Sequence, residues 1–168
     1  MRILGIDPGI AIVGYGIVDK EANRYKAVYY DAVTTRAHTP LSERLSLVYK
    51  GIDEIIKKYK PDAMSIEELF FNNNAKTALT VGQARGVIIL AAVENNLPIF
   101  EYTPLQVKQA LTGYGRASKI QIQQMTKSIL CLNEIPKPDD VADALAIALC
   151  HGNSMRFNSI NNYGGCGI

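Results

Sequence analysis

The sequence of 168 residues predicts a single α/β domain with a five-stranded mixed sheet and helices on both faces. Near the N-terminus, apolar segments of strand length follow one another on short turns, over residues 2–8, 12–18 and 24–34. Further along, short apolar segments at 62–66 and 98–102 alternate with segments of helical period. Strands joined by short turns pair antiparallel, whereas strands separated by a helix pair in parallel.

Sequence patterns typical of helices lie between the later strands and after the last one. Thr39 is predicted to cap the first helix, with Pro40 at its first position and Pro61 beyond its end. Gly82 and Gly86, four residues apart in a long second helix, would permit a close contact with another helix, which makes this helix a candidate for a contact between subunits. The later helices are predicted over 75–95, from Pro104 to about Leu111, from Ser118 to about Cys131 and from about Asp139 to about His151.

One domain is predicted over residues 1–151, followed by a tail at 152–168. The tail is rich in Gly and Asn and is predicted to be poorly ordered. The apolar segments are too short for a membrane span or a signal peptide, so we expect a cytoplasmic protein without a membrane partner. The three cysteines have no metal-site or disulfide spacing, and we interpret them as ordinary thiols: Cys131, Cys150 and Cys166.

The charge is unevenly distributed, although the net charge is only +2. Residues 69–133 contain six Lys or Arg against two acidic residues, whereas the acidic clusters lie outside this segment. A phosphate backbone could lie on the basic segment and present a bond to the acidic groups. A mildly basic, solvated face is the alternative explanation.

Four acidic residues lie at the ends of predicted strands or at the start of a predicted helix. Asp7 ends the first strand beside a Pro-Gly turn, and Glu67 follows the fourth strand. Asp140 and Asp143 are three residues apart, so they share one face of the last helix. Brought together by the fold, the four would form the oxygen-rich site that Mg²⁺ prefers. This set predicts a metal-dependent nuclease, in which two metal ions would activate a water and stabilise the leaving oxygen.

Each of these acids has a structural alternative. Asp7 could bond its own backbone in the turn. Glu68 competes with Glu67 but would face the other way in an extended segment. For Asp140 and Asp143 the alternative is capping of the helix N-terminus, where the helix dipole stabilises negative charge, and Asp139 is interpreted in this way.

Aromatic and basic residues indicate nucleic acid as the substrate. Phe70 lies in a polar, Asn-rich loop directly after Glu67 and could stack on bases, unless it folds into the core. Lys108, Arg116 and Lys119 flank a Gly-Tyr-Gly loop, a spacing that suits phosphate contacts from helix N-termini and a loop. Arg85, another base of the middle segment, is also predicted to contact DNA.

Five motifs, in this order and at these separations, closely resemble the RuvC family of Holliday junction resolvases within the RNase H-like superfamily. The resemblance covers residues 1 to about 151 and rests on Gly5-Ile6-Asp7-Pro8-Gly9, Ile66-Glu67 followed by Phe70, Gly82-Gln83-Ala84-Arg85-Gly86, Val107-Lys108-Gln109 and Asp140-Val141-Ala142-Asp143-Ala144-Leu145-Ala146.

The resemblance implies an RNase H-like fold and a specific reaction. Asp7, Glu67, Asp140 and Asp143 would be the Mg²⁺-binding catalytic set, with two ions per site and Mn²⁺ expected to substitute. Some relatives have histidine in place of Asp140, so this position could tune metal binding.

The same resemblance implies how the substrate is handled. Phe70 would handle bases at the junction, and Lys108 and Lys119 would contact DNA. A homodimer would cut strands of like polarity symmetrically across a four-way junction, leave 5′-phosphates, and act with the RuvA and RuvB branch-migration proteins in recombination and repair.

Three alternatives remain at this point. The Asp7-Pro8-Gly9 turn also resembles a phosphate loop of actin-like ATPases and sugar kinases, but a second domain would not fit in this chain. A related nuclease with an RNA-directed or unassigned role and a catalytically silent junction-binding module are the other two.

Overall fold

The computed structural model describes residues 1–68 and 75–161, with five strands and five helices in this part of the chain. The strands are Arg2–Asp7 (β1), Ile12–Glu21 (β2), Arg24–Thr34 (β3), Ala63–Glu67 (β4) and Ile99–Tyr102 (β5). The helices are Leu41–Tyr59 (α1), Ala75–Glu94 (α2), Pro104–Thr112 (α3), Lys119–Ile129 (α4) and Asp139–Asn161 (α5). None of the described helices is sufficiently long and apolar to cross a membrane.

The strands form one mixed sheet in the order β3-β2-β1-β4-β5. The β1-β2 and β2-β3 pairs are antiparallel, and the β1-β4 and β4-β5 pairs are parallel. This arrangement confirms the predicted meander followed by parallel strands. It places β1, with Asp7 at its end, in the centre of the sheet.

Helices cover both faces of the sheet, as predicted. Alternate residues of β1 divide between two cores: Leu4 and Ile6 pack with α1 and α2, and Ile3 packs with α3, α4 and α5. Because side chains alternate along a strand, Gly5 and Asp7 face the same side as Ile3. The end of β1 therefore presents its carboxylate to the face that α5 covers.

Helix α5 lies directly on the backbone of β1 and β2, because three glycines leave room for it. A Cβ atom at Gly5 would lie 2.1 Å from the carbonyl oxygen of Ala144, and one at Gly14 would lie 2.0 Å from the carbonyl oxygen of Asp140. At Gly16 it would lie 2.5 Å from a methyl carbon of Leu145. Any side chain at these positions would push the helix away from the sheet.

The start of α1 differs from the prediction. Pro40, not Thr39, occupies the N-cap position, with a ψ of 139° and no side-chain cap. The Pro40 carbonyl accepts the amides of Glu43 and Arg44, which is the bonding of an N-cap residue. The predicted start of α4 at Ser118 is confirmed, because Ser118 caps this helix with a capping box. Thr103 forms a second capping box before Pro104 at the start of α3.

The end of α5 also differs, because the helix continues to Asn161 rather than ending near His151. Packing explains the extension: Tyr25 donates a hydrogen bond to Asn153 at 2.8 Å, and Asn153 donates to the Ala110 carbonyl at 3.0 Å. Gly152 is buried against the Tyr25 ring. Residues 152–161 are therefore helical, and the rest of the predicted tail, at 162–168, lies outside the described residues.

Within α5, His151 is buried rather than a residue at the helix end. Its Nδ1 is hydrogen-bonded to the Tyr102 hydroxyl at 2.7 Å, and its ring lies against Phe100. Burial, with a smaller contribution from the charge of Lys20, lowers the pKa of His151 to about 4. This neutral imidazole joins α5 to β5.

We predict that Gly14→Ala strongly destabilises the protein. The added methyl would overlap backbone atoms of α5, which cannot rotate away, so we expect a loss of at least about 3 kcal/mol of unfolding free energy. Gly115→Ala is the control, because its methyl would overlap only the flexible end of the exposed Leu105 side chain and would lie at ordinary contact distance from Gln109, so it should cost less than about 1 kcal/mol. Equal unfolding midpoints in urea for the two variants would contradict the prediction.

Candidate active site

Asp7 and Glu67 lie side by side at one edge of the sheet. Strands β1 and β4 are parallel, and Ile6 is paired with Ile66, so the next residue of each strand stands at the same level. Both carboxylates face α5, because Ile6 and Ile66 occupy the opposite core. The prediction that these acids end neighbouring strands is confirmed.

The first turns of α5 bring Asp140 and Asp143 to the same edge. Gly14 is paired with Asp7, and the Asp140 backbone rests on Gly14, so the helix begins beside Asp7. The charges of Glu67, Asp143 and Asp140 all act on Asp7. The fold thus gathers the four predicted carboxylates around one space, whereas Glu68 and Asp139 are exposed.

Burial and mutual repulsion disfavour the charged forms of Asp7, Glu67 and Asp143. Burial first, and then the charges of Glu67, Asp143 and Asp140, raise the pKa of Asp7 to about 8. The pKa of Glu67 is raised for the same two reasons, burial and the charge of Asp143. Burial also raises the pKa of Asp143, although its bond to Lys119 opposes the shift. A nearby cation would offset the unfavourable free energy of holding these charged carboxylates close together.

Lys119 supplies positive charge to this site. Its ammonium lies 2.9 Å from a carboxylate oxygen of Asp143 and 3.3 Å from one of Asp139. Burial works against its charged form, but the bonds to these two acids raise the pKa of Lys119 overall. The capping box at Ser118 fixes the first turn of α4 and thereby brings Lys119 over the N-terminus of α5.

A cavity of about 190 Å³ opens beside the acids. Its polar wall consists of two acids and two bases, Glu67, Asp143, Lys108 and Lys119. Its apolar wall comes from α3, α4 and α5, with Pro104, Val107, Ile122, Ala146 and Ile147. Acidic groups and lysines on one open cavity suit a phosphodiester, whose charge the lysines can neutralise.

The carboxylate oxygens are suitable ligands for a hard divalent cation, but in this structure they are not grouped closely enough to hold one. Within the described residues, no three His, Cys, Asp or Glu side chains are grouped so that they could hold a metal ion. Instead, Asp143 is paired with Lys119. Like charges without a cation between them repel each other, which keeps such a set apart.

The other predicted DNA-contacting residues occupy different places. Lys108 lines the cavity, and Arg116 is exposed in the loop before α4. Arg85 is turned to Glu101 and to the backbone carbonyl of Glu67. Phe70 lies outside the described residues.

Two parts of this site were not predicted from the sequence. The Lys119–Asp143 ion pair joins residues far apart in the chain, and no spacing rule indicates it. The apolar wall could have been found from the helical period that places Val107 and Leu111 on one face of α3, since both are buried.

Comparison with known proteins agrees with this geometry. The family model described as "Crossover junction endodeoxyribonuclease RuvC" matches residues 3–151. A Clostridioides difficile protein named crossover junction endodeoxyribonuclease RuvC is 60% identical over 166 residues, which are 98% of each chain.

Solved structures show the same fold. The Thermus thermophilus RuvC structure superposes with a TM-score of 0.87 at 38% identity, covering 94% of this chain and 97% of that one. T. thermophilus RuvC in complex with a Holliday junction substrate gives a TM-score of 0.87 at 36% identity, over 95% and 98% of the two chains. The predicted RNase H-like fold is confirmed. Because the family model spans most of the chain and a relative is 60% identical along its whole length, this protein belongs to the RuvC family of crossover junction endodeoxyribonucleases.

Proposed function

We propose that this protein resolves four-way DNA junctions by hydrolysing phosphodiester bonds at the cavity beside Asp7. The observation that carries this proposal is the convergence of Asp7, Glu67, Asp140 and Asp143 from three elements beside a cavity. Glu67 and Asp143 line that cavity together with Lys108 and Lys119. The junction as substrate comes from the family and from the complex of the T. thermophilus relative.

We propose that the four carboxylates hold two Mg²⁺ ions, with Mn²⁺ able to substitute. Their oxygen donors match these hard cations, and the raised pKa values of Asp7, Glu67 and Asp143 indicate that negative charge at this site lacks compensation. A bound divalent ion would make a water molecule more acidic and stabilise charge on the leaving 3′ oxygen. Asp140, partly exposed in the first turn of α5, would tune this site more than define it.

The lysines would hold the DNA phosphate. Lys108 reaches the cavity from α3 and Lys119 from α4, on either side of the loop that contains Arg116. The Lys119 ammonium is paired with Asp143 on the wall of the cavity, where it would also be within reach of a phosphate oxygen. For Phe70, a role in handling bases at the junction follows from the resemblance alone.

A homodimer would place two such sites on one junction, as symmetric cutting of strands of like polarity requires. Support comes from the outer face of α2, which exposes Leu79, Leu90 and Val93. Gly86 lies between them, and a Cβ added there would meet no atom of the described residues within 4 Å, so a second helix could approach closely. The products would be nicked duplexes with 5′-phosphates, in a cytoplasmic recombination and repair process shared with RuvA and RuvB.

The direct test is cleavage of a synthetic four-way junction with Mg²⁺. Asp7→Asn and Glu67→Gln should each lower the single-turnover rate by at least about a hundredfold and leave junction binding within about twofold, because each removes a charged oxygen ligand without changing its shape. Glu68→Gln is the matched control and should cut normally. A linear duplex and an RNA–DNA hybrid test the substrate, and wild-type rates for Asp7→Asn would refute the assignment.

Metal-free stability should fall with rising pH. With the pKa of Asp7 near 8 in the folded state and its ordinary value in the unfolded state, the folded protein retains a proton that the unfolded chain has lost. Stability is therefore highest below the ordinary value, decreases from about pH 4 to about pH 8 and then levels off.

Asp7→Asn should reduce this loss and be more stable than the wild type at pH 9 in EDTA, by roughly 1–3 kcal/mol. Mg²⁺ should stabilise the wild type more than Asp7→Asn. Glu21→Gln, an exposed residue far along β2, is the control. Denaturant melts at pH 5, 7 and 9 measure these effects, and identical pH profiles for Asp7→Asn and wild type would contradict them.

Leu90→Asp should convert the dimer to a monomer, because it places a charge in the middle of the proposed α2 contact. Light scattering after gel filtration measures the mass. Leu105→Asp, at a similarly exposed leucine on α3, is the control and should leave the mass unchanged. A dimeric Leu90→Asp protein would exclude this face.

A further inference from the structure

Arg85 binds the backbone behind Glu67. Its Nε donates to the Glu67 carbonyl oxygen at 3.4 Å, and its Nη2 pairs with the Glu101 carboxylate. The Arg85 side chain is only 15% exposed, although guanidinium groups usually remain in water. The Glu67 carbonyl and the Glu101 carboxylate therefore determine the position of the Arg85 guanidinium.

Arg85 approaches Glu67 from the opposite face of the sheet. Glu101 is paired with Ile66 in the β4-β5 ladder, and Ile66 packs in the core beneath α1 and α2. Paired residues face the same side, so Glu101 and Arg85 lie on the α1/α2 face. The Glu67 carboxylate faces α5, so Arg85 acts on Glu67 only through the backbone and does not line the cavity that contains Lys108 and Lys119.

The position of Glu67 depends on few bonds. Glu67 is the last residue of β4, where it is paired with Tyr102, and the Glu68 amide donates to the Tyr102 carbonyl at 2.9 Å. Loss of the bond from Arg85 to the Glu67 carbonyl would let the end of β4 shift, and the Glu67 Cα atom and carboxylate would move with it. Small misplacements of a reacting group can cost about a hundredfold in rate.

We propose that Arg85 is a positioning residue that, with Glu101, fixes the end of β4 and thereby aims the Glu67 carboxylate. This inference depends on the metal-binding role proposed for Glu67. It assigns Arg85 to the support of the site rather than to a DNA phosphate. The planar guanidinium suits this task, because it donates in two directions at once, which an ammonium at the end of a flexible chain does not reproduce.

The test compares Arg85→Lys with Glu101→Gln. Both should cut a four-way junction about tenfold more slowly in single turnover and need more Mg²⁺ for half-maximal rate, because both loosen the end of β4. Junction affinity in Ca²⁺, and its slope against salt concentration, should match the wild type. Hydrogen exchange should be faster in the segment that contains the Glu68 amide, a readout that needs neither metal nor DNA.

Arg2→Lys is the matched control. Arg2 also bonds a carboxylate, that of Asp19, and a backbone carbonyl, that of Tyr59, but at the other end of β1 from Asp7. Its replacement should leave the cleavage rate, the Mg²⁺ requirement and exchange near Glu68 unchanged. A similar loss of activity in Arg2→Lys would mean that any such ion pair matters only for general stability, and would overturn the proposal.

Two further outcomes would overturn it. If Arg85→Lys weakens junction binding and lowers the salt slope while Glu101→Gln behaves as wild type, Arg85 contacts a DNA phosphate. If both variants cut at the wild-type rate, the contact has no role in positioning. Glu67→Gln in the same series separates these failures from a failure of the proposed function, because only the latter would leave Glu67→Gln fully active.

Discussion

The close contact between α5 and the backbone of β1 and β2 determines the rest of the site. Gly5, Gly14 and Gly16 remove the side chains that would otherwise separate the helix from the sheet. The helix consequently begins directly above the residue paired with Asp7, and its acids reach the acids of the sheet. The buried bond between His151 and Tyr102 holds the same helix to the far edge of the sheet. Helix position, and not local sequence, therefore sets the spacing of the carboxylates.

The clustered carboxylates lower the stability of the folded protein and favour the binding of a cation. Burial and proximity oppose the ionisation of Asp7, Glu67 and Asp143, so the metal-free protein holds them at a cost. The Lys119 ammonium compensates part of that charge through Asp143. A divalent cation would compensate more of it, since it carries twice the charge and accepts several oxygen ligands. A bound cation would relieve the repulsion between these carboxylates, and this relief would add to the free energy of binding.

The two faces of the sheet carry different groups. The α5 face carries the carboxylates, the cavity and the lysines, whereas the α1/α2 face carries an apolar core and the Arg85–Glu101 pair. Strand alternation makes this possible, because Glu67 turns its carboxylate to one side while its carbonyl is bonded from behind. A basic residue in the predicted DNA-binding segment thereby serves the site through the backbone.

The sequence by itself determined the fold class, the strand order within the meander and the four acids, because strand and helix periods and turn residues are local signals. It also placed the starts of α3 and α4 correctly, but placed the first residue of α1 and the end of α5 incorrectly: Pro40 takes the cap itself, and contacts with Tyr25 extend the last helix. Only the tertiary structure decided that Lys119 pairs with Asp143 and that Arg85 faces Glu101. Both pairs join segments distant in the chain, and their geometry depends on where packing puts each helix, which no local pattern encodes.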